Sequence, residues 1–232
     1  MDYNPQEHKL EYLTFHGERA RFLLETLKNL KISTADSVLD VGRSPLTAIV
    51  QKLYPNVSTL GLDPELTLLD KADPLDLQII PHKKFDLNLC PKRELWILPE
   101  KYKVILFNEI IEHLQVSPKW VFKYLKELMH AGGYLIVQTP NAVSLGKRIR
   151  ICRVQNPFVE FETDAEIGSH HFREYTKKEL IKHALEAGLI LYRHEFVNYF
   201  PSRNLLFKFI NSFCGIIPAF RNGQTMIFQN PA

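Results

Sequence analysis

Cysteine is scarce in this 232-residue chain: Cys90, Cys152 and Cys214 are far apart and form no CxxC pair. That pattern fits neither a disulfide framework nor a cysteine-based zinc site, and it leads us to expect a reducing, cytoplasmic setting. Long apolar runs are missing too. None reaches the ~18 residues of a membrane span. The opening Met-Asp-Tyr-Asn-Pro lacks the apolar core of a secretory signal. Charge of one sign is also in short supply. With 29 Lys and Arg against 26 Asp and Glu, the net charge is +3. So small an excess speaks against nucleic acid as the partner. Glycine numbers only 10, and no GxGxxG loop follows any predicted strand, which disfavours a nicotinamide-dependent dehydrogenase. Nothing in the residue pattern calls for a metal.

What remains is an alternation of apolar runs and amphipathic stretches. Residues 16 to 30 carry Ala20, Phe22, Leu23, Leu24, Leu27 and Leu30 at helical spacing. Predicted strands are Ser37 to Gly42, Val57 to Leu62, a weak third at Ile79-Ile80, Val104 to Asn108, Tyr134 to Gln138, Leu189 to Phe196 and Thr225 to Phe228. Helices are expected over Leu46 to Leu53, over Pro118 to Met129 with Gly132-Gly133 as its stop, and over Lys177 to Ala187. The last has Thr176 as cap, Glu179 at the capping-box position and Gly188 as stop. Such alternation predicts an α/β fold: a doubly wound, mostly parallel seven-stranded sheet with helices on both faces. The length suits one domain over 1–232. Two stretches interrupt the alternation: 141–175, polar and basic, read as a lid or substrate insertion, and 201–224, aromatic and apolar, before the last strand.

Open α/β sheets bind ligands at the carboxyl ends of their strands. The first strand ends in Asp40-Val41-Gly42-Arg43-Ser44. The second ends in Asp63, 23 residues after Asp40, and Asp86 follows 23 residues later. An acid about 20 residues beyond a glycine turn is placed to accept from ribose hydroxyls. The fourth strand ends in Asn108-Glu109. Any one of these acids suits a turn or a helix cap equally well; their order and spacing together are the stronger signal.

In that order, the chain resembles the class I S-adenosylmethionine-dependent methyltransferases, in particular their small-molecule and glycan-modifying branch. The matching stretches are Asp40 to Ser44, Gly61-Leu62-Asp63, Asp86-Leu87, Phe107 to Leu114, Ala131 to Asn141, and His171 to Thr176, covering roughly residues 35 to 195. The resemblance implies a Rossmann-like fold and S-adenosyl-L-methionine as cofactor. Gly42 and Asp40 would meet its methionine part, Asp63 its ribose, and Asp86 and the Leu87 amide its adenine. Asn108 and Glu109 would line the methionine end and face the substrate. Ser44, followed by Pro45, stands where the family has a second glycine. Ser44 reads as a helix N-cap with Pro45 at the first helical position, with its hydroxyl a further cofactor contact.

His113 and His171 are the candidate catalytic bases, with His170 as an alternative to His171. A purely structural reading competes for both, and is preferred for Glu112. Lys147, Arg148, Arg150 and Arg153 read either as a solvated helix face or as an anion clamp, with Arg148 the substrate contact chosen. Arg173 and Tyr175 would share a face with His171 toward the substrate, or lock the insertion onto the domain. The apolar 205–220 stretch reads as core or as a homodimer contact. The expected function is methyl transfer to an oxygen or nitrogen of a small-molecule or glycan-type substrate, possibly anionic. The alternatives are a non-enzymatic or weakly cofactor-binding member of the same fold and, more remotely, an RNA methyltransferase.

Overall fold

The computed structural model describes residues 5–62, 80–98, 100–158, 171–199 and 216–232. In chain order the elements are α1 (Pro5–Asn29), β1 (Val38–Val41), α2 (Pro45–Leu53), β2 (Val57–Gly61), β3 (His82–Lys84), β4 (Tyr102–Asn108), α3 (Pro118–Glu127), β5 (Met129–Pro140), α4 (Leu145–Cys152), α5 (Lys177–Glu186), β6 (Ile190–Val197) and β7 (Gly223–Gln229). The strands form one seven-stranded sheet in the order β3-β2-β1-β4-β5-β7-β6. β1 through β5 pair in parallel, and β7 runs antiparallel to both β5 and β6. This is the doubly wound, mostly parallel sheet expected.

The period-two geometry of strands decides which helices cover which face. Leu39, Val41, Ile105, Phe107, Leu135 and Val137 pack with Val121, Phe122 and Leu125 of α3 and Leu180 and Ala184 of α5. The alternate residues Val38, Val104, Leu106 and Ile136 pack with Leu23 and Leu27 of α1 and Leu46 and Val50 of α2. With both faces covered, β1 is buried along its whole length, which is why it reads as a continuous apolar run.

Two expectations need correction. Gly132-Gly133 does not stop a helix; both lie inside β5, and α3 ends at Glu127 with Leu128 as its cap. A Cβ at Gly133 would sit 2.9 Å from the His130 carbonyl oxygen and 3.1 Å from that of Lys103. The pair therefore marks a close approach of backbones, the other use of glycine in strands. The third strand is His82–Lys84 and not Ile79-Ile80: Ile80 is a buried bend, and Ile79 lies outside the described residues. β3 is a short edge strand of basic residues, so the apolar signal sought there is absent. α5 forms as expected, with Thr176 accepting from the Glu179 amide and Glu179 accepting from the Thr176 amide. Within 141–175 the structure adds α4, whose side chains are not fully buried. Of the apolar 201–224 stretch, only 216–224 is described. No described helix is long and apolar enough to cross a membrane.

Candidate active site

Strand order reverses between β1 and β4: the chain continues outward to β2 on one side and to β5 on the other. Diverging loops at such a switch point leave a crevice at the carboxyl ends of the two strands. Asp40 is nearly the last residue of β1 and is buried. Its Oδ2 accepts the Thr47 hydroxyl at 2.6 Å, and Thr47 Oγ1 in turn accepts the Ser44 amide at 3.0 Å. Burial pushes the Asp40 carboxyl up to about 7, against the lowering effects of Thr47 and of the Arg19 charge.

Ser44 is the N-cap of α2, accepting from the Leu46 amide, and Pro45 occupies the first turn. Both residues that depart from the family loop are thereby accommodated as a helix start. Gly42 has φ +80, and a Cβ there would fall 2.3 Å from Ile110 Cδ1. The loop after β1 therefore passes directly against the turn after β4 and requires glycine.

The turn after β4 is tightly constrained. Asn108 ends the strand, and Glu109 adopts φ +53 while its amide bonds the Gln138 carbonyl at 2.8 Å. A left-handed glutamate is uncommon, and it aims the side chain back into the crevice. There its Oε1 lies 3.7 Å from the guanidinium of Arg19, a buried residue of α1. Glu112 is fully buried and accepts the Thr139 hydroxyl at 2.9 Å. Burial first, and then the neighbouring Glu109 charge, hold the Glu112 carboxyl well above the usual carboxylate range. The side-chain oxygen and nitrogen of Asn108 have no hydrogen-bond partner among the described residues.

His113 and His171 meet edge to face, ring centroids 4.8 Å apart. His171 Nδ1 lies 3.4 Å from Glu174 Oε1, and the other oxygen of Glu174 pairs with Lys147. The Arg173 amide bonds the Glu112 carbonyl at 3.1 Å, tying this segment to the turn after β4. Burial, His113 and Lys147 push His171 down to about 4, so its ring is neutral at pH 7. Burial lowers Lys147 to about 8 against the pull of Glu112 and Glu109.

Asp86 lies apart from this group, at the entrance to a short helical turn over Leu87–Leu89, where its Oδ1 accepts the Asn88 amide. It borders an open cavity of about 340 Å³ with Leu62, Phe85, Leu89 and Ile97 in its wall. Mostly apolar walls, with the Asp86 carboxylate and Lys84 also in the lining, suit a flat heteroaromatic ring bearing an amino group. Asp63 and His170 fall outside the described residues.

Of the three expected substrate residues, Arg173 and Tyr175 meet, the guanidinium 5.2 Å from the ring centroid, and Arg148 makes its contacts elsewhere. Arg148 is exposed, bonds the Val143 carbonyl at 2.7 Å and lies over the Phe220 ring. Arg173 is exposed and pairs with Glu179 at 2.6 Å. Tyr175 is 3% exposed and belongs to the main core. Sequence reasoning missed Arg19 and Glu174 in the crevice; it named Lys147 only within the basic cluster and chose Arg148 from that cluster, and Glu112 contacts neighbouring polypeptide through Thr139, as its structural reading expects. For Arg19 a signal existed: it shares the i, i+4, i+8 stripe with Leu23 and Leu27, and an arginine on a core stripe marks a buried ion pair.

A doubly wound sheet with a glycine turn and a crevice at its switch point defines a Rossmann-like α/β domain. A model of the methyltransferase-domain family matches residues 15–206. The chain belongs to that family. An uncharacterized methyltransferase from Schizosaccharomyces pombe is 28% identical over 120 residues, 49% of this chain and 43% of that protein. The match thus spans less than half of that relative's length. Among solved structures, a putative methyltransferase in complex with the Haloferax volcanii Trm112 activator superposes with TM-score 0.64, at 11% identity over 97% of this chain and 95% of that one. An S-adenosylmethionine-dependent methyltransferase from Clostridium acetobutylicum gives TM-score 0.59, at 13% identity over 94% and 92%. The chain shares the fold of the S-adenosylmethionine-dependent class.

Proposed function

We propose that the chain transfers the methyl group of S-adenosylmethionine to an oxygen or nitrogen of a small-molecule or glycan-type substrate. The observation that carries this reading is the convergence of the Gly42 turn and the Asn108–His113 turn at the β1/β4 switch point. Asp40, Gly42, Asn108 and Glu109 would surround the methionine part of the cofactor, and Ser44 holds the loop as helix cap. Asp86 and Leu87 would border adenine in the cavity beside Phe85, and Asp63 would accept from the ribose hydroxyls. The fit is physical as well as topological. Asn108 offers unpartnered polar atoms, and the buried acids face a ligand that carries an ammonium and a sulfonium charge.

The protein's part in such a reaction is alignment and handling of a proton, since the cofactor supplies the reactive methyl. Bound S-adenosylmethionine would supply a methyl carbon open to in-line attack by the acceptor, opposite its carbon–sulfur bond, and Asp40, Gly42, Asn108 and Glu109 would hold its methionine part. His113 and His171 would stand at the acceptor end, where an imidazole could take a proton or position an acceptor oxygen. The 141–175 segment, which supplies Lys147, His171 and Glu174, would form the substrate wall, with exposed Arg148 as its contact for an anionic substrate. The test is incubation of the full chain with methyl-tritiated S-adenosylmethionine and fractionated small-molecule and glycan extracts. Label should appear in one fraction and vanish with Asn108→Ala. Label confined to an RNA fraction would replace this substrate class.

A further inference from the structure

Glu112, His113 and His171 form a group in the crevice that cofactor binding does not use. Each offers one donor atom, a carboxylate oxygen or a ring nitrogen, and the three atoms lie within 4.8 Å of one another. Glu112 and His113 sit on the short helical turn Ile111–His113, and His171 arrives from the segment before α5. The Arg173–Glu112 backbone bond fixes the two segments together.

Glu112 shows what the cluster lacks. Its Oε2 accepts from Thr139, but no described N–H or hydroxyl donates to its Oε1, and the fully buried carboxyl has the carboxyl of Glu109 as its close acidic neighbour. A buried carboxylate oxygen left in that state is destabilising unless a donor or a cation satisfies it. The surroundings already favour positive charge: Glu109 lies beside Glu112, and the Lys147 ammonium is drawn in by Glu174. Glu174 also accepts from His171 Nδ1. A ring held at Nδ1 by a carboxylate presents Nε2 as its ligand atom, the arrangement that orients histidines around metals.

We propose that Glu112, His113 and His171 form a binding site for a divalent transition-metal cation whose open positions take the hydroxyl of the methyl acceptor. Two imidazoles and one carboxylate suit manganese, iron, cobalt or zinc and disfavour calcium, which takes oxygen ligands only. Bonds of about 2.0–2.2 Å need the donors somewhat closer than they stand, a closure within reach of small side-chain rotations. Three protein ligands leave positions for substrate or water.

This inference rests on the methyl-transfer reading and sharpens it to an oxygen acceptor. A cation lowers the pKa of a hydroxyl bound to it. The hydroxyl proton leaves to solvent. An oxygen lone pair forms the new bond to the methyl carbon. The carbon–sulfur bond breaks with its electron pair on sulfur, giving the methyl ether and S-adenosylhomocysteine. Neither histidine then acts as the base.

The test is titration of the chelator-treated full chain with cobalt(II), followed by its visible d–d absorption. One cobalt per chain is expected, with bands shifted from those of the aqueous ion. Glu112→Gln and His171→Gln should each weaken binding by at least ~10-fold, and Glu174→Gln, which acts through His171, by ~10–100-fold. A thermal shift with S-adenosylhomocysteine checks each protein's fold. If His171→Gln does not fold, Glu174→Gln reads the same site. Cobalt bands unchanged in folded His171→Gln or Glu174→Gln overturn the site. Wild-type protein that binds S-adenosylhomocysteine but no cobalt also overturns it and leaves the methyl-transfer reading standing. Cobalt bound with no response to S-adenosylhomocysteine supports the site and removes that reading instead.

Discussion

Replacing Asp40 with asparagine should stabilise the ligand-free protein, and by an amount that depends on pH in one direction. The Asp40 carboxyl titrates near 7 in the fold because it is buried, against an ordinary 3.8. When the folded-state pKa of an acid is raised, ionisation favours the unfolded chain. The resulting destabilisation is absent below about pH 4. It grows by about 1.4 kcal/mol per pH unit from there and levels off above about pH 7, near 4 kcal/mol. Asparagine keeps an acceptor oxygen for the Thr47 hydroxyl, so the 2.6 Å bond that ties β1 to α2 survives. It removes only the charge. Urea unfolding of wild type and Asp40→Asn at pH 5, 6, 7 and 8 reads the effect directly, since every other titrating group is common to both. The stability difference should widen in favour of the variant by about 3 kcal/mol between pH 5 and pH 8. A difference constant across that range would refute burial as the state of Asp40, and a difference of opposite slope would mean that Arg19 dominates its environment.

Gly42→Ala places a side chain at φ +80 and against Ile110. It should destabilise the fold by ~1–2 kcal/mol and lower affinity for S-adenosylhomocysteine as the β1 loop is displaced; denaturant unfolding and calorimetry check the two effects. Thr176→Ala removes the cap of α5 and its reciprocal bonds with Glu179. It should cost ~1 kcal/mol, a fall of about 2–4 °C in Tm for a chain of this size, with cofactor affinity unchanged by calorimetry.

How much of the fold and the crevice was legible in the sequence follows from what each feature leaves in the residue string. β1, β2, β4 and the capped helix α5 are written locally: buried parallel strands as apolar runs, and α5 by its capping box and terminal glycine. β3 left no trace, because a three-residue basic edge strand has neither period nor apolarity. Gly132-Gly133 misled because glycine stops helices and also permits close backbone approach, and only the neighbouring carbonyls of His130 and Lys103 distinguish the two. Strand-end acids pointed to the β1/β4 end of the sheet, and the topology brings both Asp40 and Glu109 near Arg19. The ion pairs that back the crevice were not readable. Arg19, Lys147 and Glu174 enter it from elements distant in sequence, and the pairing of Lys147 with Glu174 depends on a backbone path that no short-range pattern encodes. Tyr175 reads as sharing a face with His171 and Arg173, turned to the substrate or locking the insertion onto the domain. It is buried because that segment bridges to Asn141 beside β5.

One claim stands above the rest, that the ends of β1, β2 and β4 hold S-adenosylmethionine. Isothermal calorimetry with S-adenosylhomocysteine on wild type and on Asp63→Ala tests it most directly. One site per wild-type chain is expected, and no measurable heat of binding for the variant, with the variant's unfolding transition intact. Equal affinity in both proteins, or no binding to wild type, would contradict the claim.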